Sequence, residues 1–171
     1  MVIRQEEARD HSTVYSLVKR AFETAEHADG NEQDLVSALR KSKAYIPQLS
    51  LVAETDGTLV GHILFTRAEV GDAAVLALAP LSVLPEYQRQ GVGTALIREG
   101  HRIAGELGYG WSIVLGSETY YPRLGYLPAD AFGIKAPFEA PRENFMACKL
   151  AESAPAVRGT VRYTKEFGIE E

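Results

Sequence analysis

Cysteine is almost absent from this sequence: Cys148 stands alone among 171 residues. No internal disulfide can form, which fits a reducing compartment and makes the cytoplasm the expected location. Cys148 lies in Asn144-Phe145-Met146-Ala147-Cys148-Lys149-Leu150, which reads as a strand with the thiol as a small buried apolar group. Long hydrophobic runs are also lacking. No stretch approaches the roughly 18 to 20 apolar residues that span a bilayer, so no membrane partner is expected. The first seven residues carry charge early and hold no apolar core, so they do not read as a secretory signal. Basic excess is missing as well. The formal net charge is −5, which argues against a general nucleic-acid binder and is compatible with a cationic or amine-bearing substrate. His11, His27, His62 and His101 show no ligand spacing with carboxylates or with Cys148, so no metal site is expected.

What is present is one domain's worth of periodic segments, residues 1–171, with residues 151–171 as a C-terminal extension. Val2-Ile3-Arg4 suits an opening strand. Asp10 stands as an N-cap before Val14, Leu17, Val18, Ala21 and Phe22, which share one helical face. Asn31 caps a second short helix that buries Leu35, Val36 and Leu39. Residues 49–54 and 59–70 read as strands joined at Asp56-Gly57, a strong hairpin signal. Gly71-Asp72 turns the chain into a third, almost wholly apolar strand at 74–84, which should be central and covered on both faces. These three strands should form an antiparallel meander. The period becomes helical from Gly91 and stops at Gly108, with Gly100 and Gly105 inside at about 1 kcal/mol each relative to alanine. Residues 111–115 form a strand after this helix, which suggests a parallel pair with the third strand through a right-handed crossover. A final strand pair is expected around 132–134 and 145–150. The fold class is therefore α/β of the α+β type: a mixed central sheet with helices on both faces.

The stretch that carries chemistry is Leu81-Ser82-Val83-Leu84-Pro85-Glu86-Tyr87-Gln88-Arg89-Gln90-Gly91-Val92-Gly93-Thr94-Ala95-Leu96. It joins the apolar strand to an amphipathic helix. Gly91 and Gly93 bare the backbone, and the first helical turn has N–H groups without intrahelical partners. Together they suit a phosphate or pyrophosphate, with Arg89 as a nearby cation. The dinucleotide fingerprint lacks its third glycine here, and the P-loop lacks its lysine. A glycine turn with no ligand is the plain alternative.

The context narrows that choice. Gln88-x-x-Gly91-x-Gly93, with Pro85 ahead and Ala95-Leu96 behind, resembles motif A of the GNAT superfamily of N-acetyltransferases. Downstream, Tyr120-Tyr121-Pro122-Arg123-Leu124-Gly125-Tyr126 resembles that superfamily's aromatic-Tyr-x-x-x-Gly-aromatic segment, and the tail resembles an extension found in a bacterial subgroup. The resemblance implies an antiparallel N-terminal meander and a parallel strand pair that splays around the pantetheine arm of acetyl-CoA, the cosubstrate. By match, Leu81, Ser82 and Val83 meet the arm, and Gln88, Arg89, Gln90, Gly91, Val92, Gly93 and Thr94 wrap the pyrophosphate. It also implies direct attack of a substrate amine on the thioester, with Tyr121 as general acid toward the departing thiolate. The family's asparagine between the strand and this tyrosine is missing, and Ser117 stands in its place. For the base, His62 borders the expected cleft and Glu118 lies near Tyr121; Glu32 could help bind a cation. The acceptor is a primary amine of a small molecule or peptide, and the protein is a monomer or homodimer. A CoA-binding regulatory module without turnover is the competing class.

Overall fold

Asp56 (φ 49°) and Gly57 (φ 79°) both adopt left-handed backbone, which gives the reversal that twisted antiparallel strands require. The computed structural model describes residues 1–25 and 28–169; His27 lies outside the described residues. That turn joins β2 (Tyr45–Thr55) to β3 (Thr58–Val70), and Gly71 (φ 58°) turns β3 into β4 (Ala73–Val83). With β1 (Val2–Gln5) on the outer edge of β2, these strands make the expected meander. Helices α1 (His11–Phe22) and α2 (Glu32–Arg40) lie between β1 and β2 in the chain. Helix α3 (Val92–Glu106) leads from β4 to β5 (Trp111–Leu115), which is parallel to β4. Beyond β5 the sheet continues through β8 (Phe145–Lys149) to β6 (Leu127–Pro128).

The sheet is covered on both faces, as the apolar β4 requires. Val92, Leu96, Ile97 and Ala104 of α3 pack with Leu51, Ile63, Phe65 and Leu76. Val14, Leu17 and Val18 of α1 pack with Val36, Val52 and Leu84 on the other side. Each fully buried side chain of this kind contributes about 1.5–3 kcal/mol. Gly100 is explained by the contact with β3: a Cβ there would lie 2.8 Å from Cζ of Phe65. Gly105 faces open space and carries no such reason.

Three expectations are corrected. Asn31 stands at the start of α2 but makes no side-chain cap hydrogen bond to it. Asp10 makes no side-chain cap on α1. Its carboxylate accepts the Glu7 N–H at 2.8 Å and the Arg4 guanidinium at 2.7 and 3.1 Å, so a charged partner outcompetes the helix end. The segments near 132–134 and 145–150 do not pair with each other. β8 uses its two edges for β5 and β6, while β7 (Ile134–Lys135), turned away at Gly133 (φ 78°), pairs with β9 (Gly159–Arg162). β9 also pairs with the end of β3, and Trp111 Nε1 donates to the Pro155 carbonyl at 2.9 Å. The C-terminal extension is thereby packed into the sheet.

Candidate active site

β4 and β5 pair only at Leu76 with Ser112 and at Ala77 with Ile113. Beyond these the two strands part. A bulge lies at the same level: Ile63 opposes Leu81 while Phe65 opposes Leu78, so β4 carries one residue more than β3. Such an insertion bends the strand and re-aims its remaining residues. A cavity of about 660 Å³ fills the opening, walled by Leu78, Leu81, Ile113 and Leu115, by α2, and by the C-terminal segment. Tyr121 lines it.

A second cavity, of about 620 Å³, lies at the glycine turn. Leu81, Val83, Gln88, Arg89, Gly91, Val92, Gly93 and Thr94 line it, joined by Tyr87, Tyr120 and Arg123. Arg89 (φ 62°) and Gly91 (φ 84°) are both left-handed, a backbone that can point successive N–H groups into one concavity. Gly93 lets Tyr120 approach: a Cβ there would sit 3.1 Å from the Tyr120 hydroxyl, which is 3.0 Å from Thr94 Oγ1. The turn is braced by two glutamines. Gln88 donates to the Val83 carbonyl at 3.1 Å, and Gln90 to that of Glu86 at 3.0 Å. Gln90 therefore shapes the turn and does not line the cavity. Two guanidinium groups and bare backbone N–H groups fit a pyrophosphate well. Arg123 was passed over in the sequence, although it sits inside the Tyr120–Tyr126 motif; only the 3-10 turn Tyr121–Leu124 reveals that it joins Arg89.

Tyr121 is held on three sides. Its ring packs edge-on against Tyr120 and Tyr126, with centroids 5.1 and 5.6 Å away. Tyr126 is itself fixed by Ser112 Oγ at 2.8 Å and His101 Nε2 at 2.9 Å. On the third side Gly116 leaves room that no other residue could: a Cβ would lie 2.9 Å from Cδ2 of the Tyr121 ring and nearer still to Cε2. Burial pushes the Tyr121 phenol well above its ordinary value, so it holds its proton at neutral pH.

The other sequence candidates lie elsewhere. His62 was expected at the border of the cleft but is fully buried. Its Nε2 is 3.1 Å from Ser50 Oγ and 3.7 Å from Glu6. Burial pushes the imidazole down to about 4, only partly countered by Glu6. Burial also opposes the charge on Glu6, but Arg40, at 2.6 and 2.9 Å, together with His62 and Ser50, outweighs it and holds the carboxyl below its usual range. This network is part of the core. Ser82, opposite His62 in the β3–β4 register, is buried with its hydroxyl unpartnered among the described residues. Glu118 accepts from Asn144 Nδ2 at 2.7 Å, outside the loop, and Ser117 bonds Thr119 within it. Asn144 also donates to the Gly116 carbonyl at 3.0 Å, so an asparagine does fasten this loop, but from the start of β8.

The model of the acetyltransferase (GNAT) family matches residues 11–126. The chain belongs to that family. As a member it is an acetyl-CoA-dependent acyltransferase with the mixed, open GNAT sheet. It is 43% identical over 142 residues to the uncharacterized N-acetyltransferase YjhQ of Escherichia coli K12, covering 80% of this chain and 78% of that protein. The crystal structure of the GNAT N-acetyltransferase YhbS of Escherichia coli in complex with CoA superposes with a TM-score of 0.88 at 29% identity, covering 98% of this chain and 91% of that one. A GNAT acetyltransferase of Brucella melitensis in complex with acetyl-CoA gives a TM-score of 0.79 at 32% identity over 97% of each chain.

Proposed function

We propose that this GNAT enzyme transfers the acetyl group of acetyl-CoA to a primary amine of a small molecule or peptide, by direct attack while both substrates are bound. The carrying observation is the opening of β4 from β5 beyond Ala77 and Ile113, with Tyr121 at one side and the glycine turn at the other. Arg89, Arg123, Thr94 and the backbone from Gly91 to Gly93 would hold the pyrophosphate. The backbone of Leu81, Ser82 and Val83 would border the pantetheine arm, and the N–H of Val83 would polarise the acetyl carbonyl.

Bound acetyl-CoA supplies the thioester. The nitrogen of the acceptor forms the new C–N bond as the C–S bond breaks. Tyr121, kept protonated by burial, gives its proton to the departing sulfur. The proton lost by the nitrogen passes to water in the open cavity, and the phenol is reprotonated from the same solvent. His62 has no part in this, because its ring is enclosed by the core. Cys148, free and buried, is consistent with work in the reducing cytoplasm.

Thiol release from acetyl-CoA across an amine panel tests the proposal. Tyr121→Phe should lower kcat by about 10² to 10⁴ and leave acetyl-CoA affinity within about twofold. Tight acetyl-CoA binding, silence with every amine and no effect of Tyr121→Phe would instead establish a CoA-binding module without turnover.

A further inference from the structure

The two cavities that meet at Leu81 are lined with opposite charge. The smaller one presents Arg89 and Arg123 and no carboxylate among the described residues. The larger one presents Asp29, Glu32, Asp34 and Glu166, and no lysine, arginine or histidine among the described residues. None of these four carboxylates enters an ion pair with a described residue; the salt bridges lie elsewhere on the molecule. Glu32 accepts the N–H groups of Asp29 and Gly30 at 2.8 and 3.1 Å, and Asp34 accepts the Tyr15 hydroxyl at 2.9 Å. Glu166 accepts the hydroxyl of Thr164. No described cation thus closes an ion pair with any of the four, although the charge of Lys165 acts on its neighbour Glu166.

The walls come from two distant parts of the chain. The first turn of α2 brings Glu32 and Asp34. The 3-10 turn Lys165–Phe167 packs against α2 and brings Glu166, with the rings of Tyr163 and Phe167 beside it. Carboxylates interleaved with aromatic faces bind ammonium groups, by charge and by cation–π attraction. They disfavour carboxylates and phosphates in equal measure.

Resting on the acetyltransfer reading above, we propose that the acceptor is a small diamine-type substrate: one nitrogen reacts at Tyr121, and a second, cationic nitrogen is held between the start of α2 and the C-terminal segment. The extension beyond residue 150 is then the part of the chain that chooses the acceptor.

An isosteric series tests this: 1,5-diaminopentane, pentylamine and 5-aminopentanoate differ only in the group at the far end. The diamine should exceed pentylamine in kcat/KM by about tenfold at low salt, and 5-aminopentanoate should fall about tenfold below it. Raising the salt should shrink both gaps. Glu166→Gln and, independently, Asp34→Asn should each narrow the diamine-over-pentylamine ratio about threefold. Equal rates for the three compounds, preference for 5-aminopentanoate, or a ratio unmoved in both variants would overturn the proposal. Lysyl-lysine amide in the same assay separates the sources of the second charge: the free diamine ahead of it supports a small-molecule acceptor, and the reverse order overturns that part. If no amine is turned over, the acetyltransfer reading fails by itself. Calorimetry with the CoA-loaded protein then still decides the charge rule: tighter binding of 1,5-diaminopentane than of pentylamine upholds it, and equal binding refutes it.

Discussion

Replacing Gly116 by alanine should disable the enzyme by displacing Tyr121, with no reacting group altered chemically. The added methyl would sit 2.9 Å from Cδ2 and 3.3 Å from Cζ of Tyr121, where carbon atoms rest at about 3.5–4.0 Å. The loop cannot retreat, because Gly116 donates to the Asn144 carbonyl at 2.8 Å and accepts the Asn144 side-chain amide at 3.0 Å. The ring must therefore yield by about 1 Å, and a displacement of that size costs on the order of 10²-fold in rate. Tyr120 and the anchored Tyr126 close the lateral escapes, so the ring moves in the cavity. Overpacking should cost about 1–3 kcal/mol of stability, which leaves a folded protein. The assay is kcat by thiol release, with the acetyl-CoA dissociation constant measured alongside; kcat should fall about 10²-fold and the constant should move less than about twofold. A double-mutant cycle sharpens the test: in a Tyr121→Phe background, Gly116→Ala should add little further loss. Wild-type turnover in Gly116→Ala, or strictly additive losses in the cycle, would refute the reasoning.

Four further outcomes concern stability. Gly105→Ala should raise it by up to about 1 kcal/mol, since the site is helical and open, whereas Gly100→Ala should lower the melting temperature by driving a methyl into Phe65. Glu6→Gln leaves Arg40, whose side chain is 11% exposed, without its buried counter-charge, and should cost about 3 kcal/mol or more in chemical denaturation. Burial holds His101 down at about 4 in the folded protein, so the unfolded chain binds the proton more tightly and folding weakens as pH falls from about 6.5 toward about 4. That site alone should cost roughly 2 kcal/mol between pH 7 and pH 5, and His101→Gln should show a correspondingly shallower acid slope in denaturation midpoints.

The cavity at the glycine turn was legible because its requirements are local. A strand, two glycines and a helix start within about a dozen residues specify an anion cradle, and Tyr121 comes later in a motif of its own. The meander was readable from turn chemistry at Asp56-Gly57 and Gly71. His62 was misjudged because β3 is buried on both faces, so its sequence lacks the alternation that would have said which side the ring occupies. The partners that absorb it, Glu6 and Ser50, lie 56 and 12 residues away, and Arg40 is bound to Glu6. Of the acidic cavity wall the sequence offered only Glu32, as a residue that could help bind a cation. Nothing in Tyr163, Glu166 or Phe167 announces a meeting with α2, some 130 residues earlier; that encounter depends on β9 docking beside β3 and β7. Short strands such as β7, two residues long, carry no period to read.

Leu81 is the one residue common to the two cavity linings among the described residues. On the proposed reading, that residue would be the one side chain touched from both sides, with the carrier's phosphates bound on one side of it and the acceptor's far end on the other.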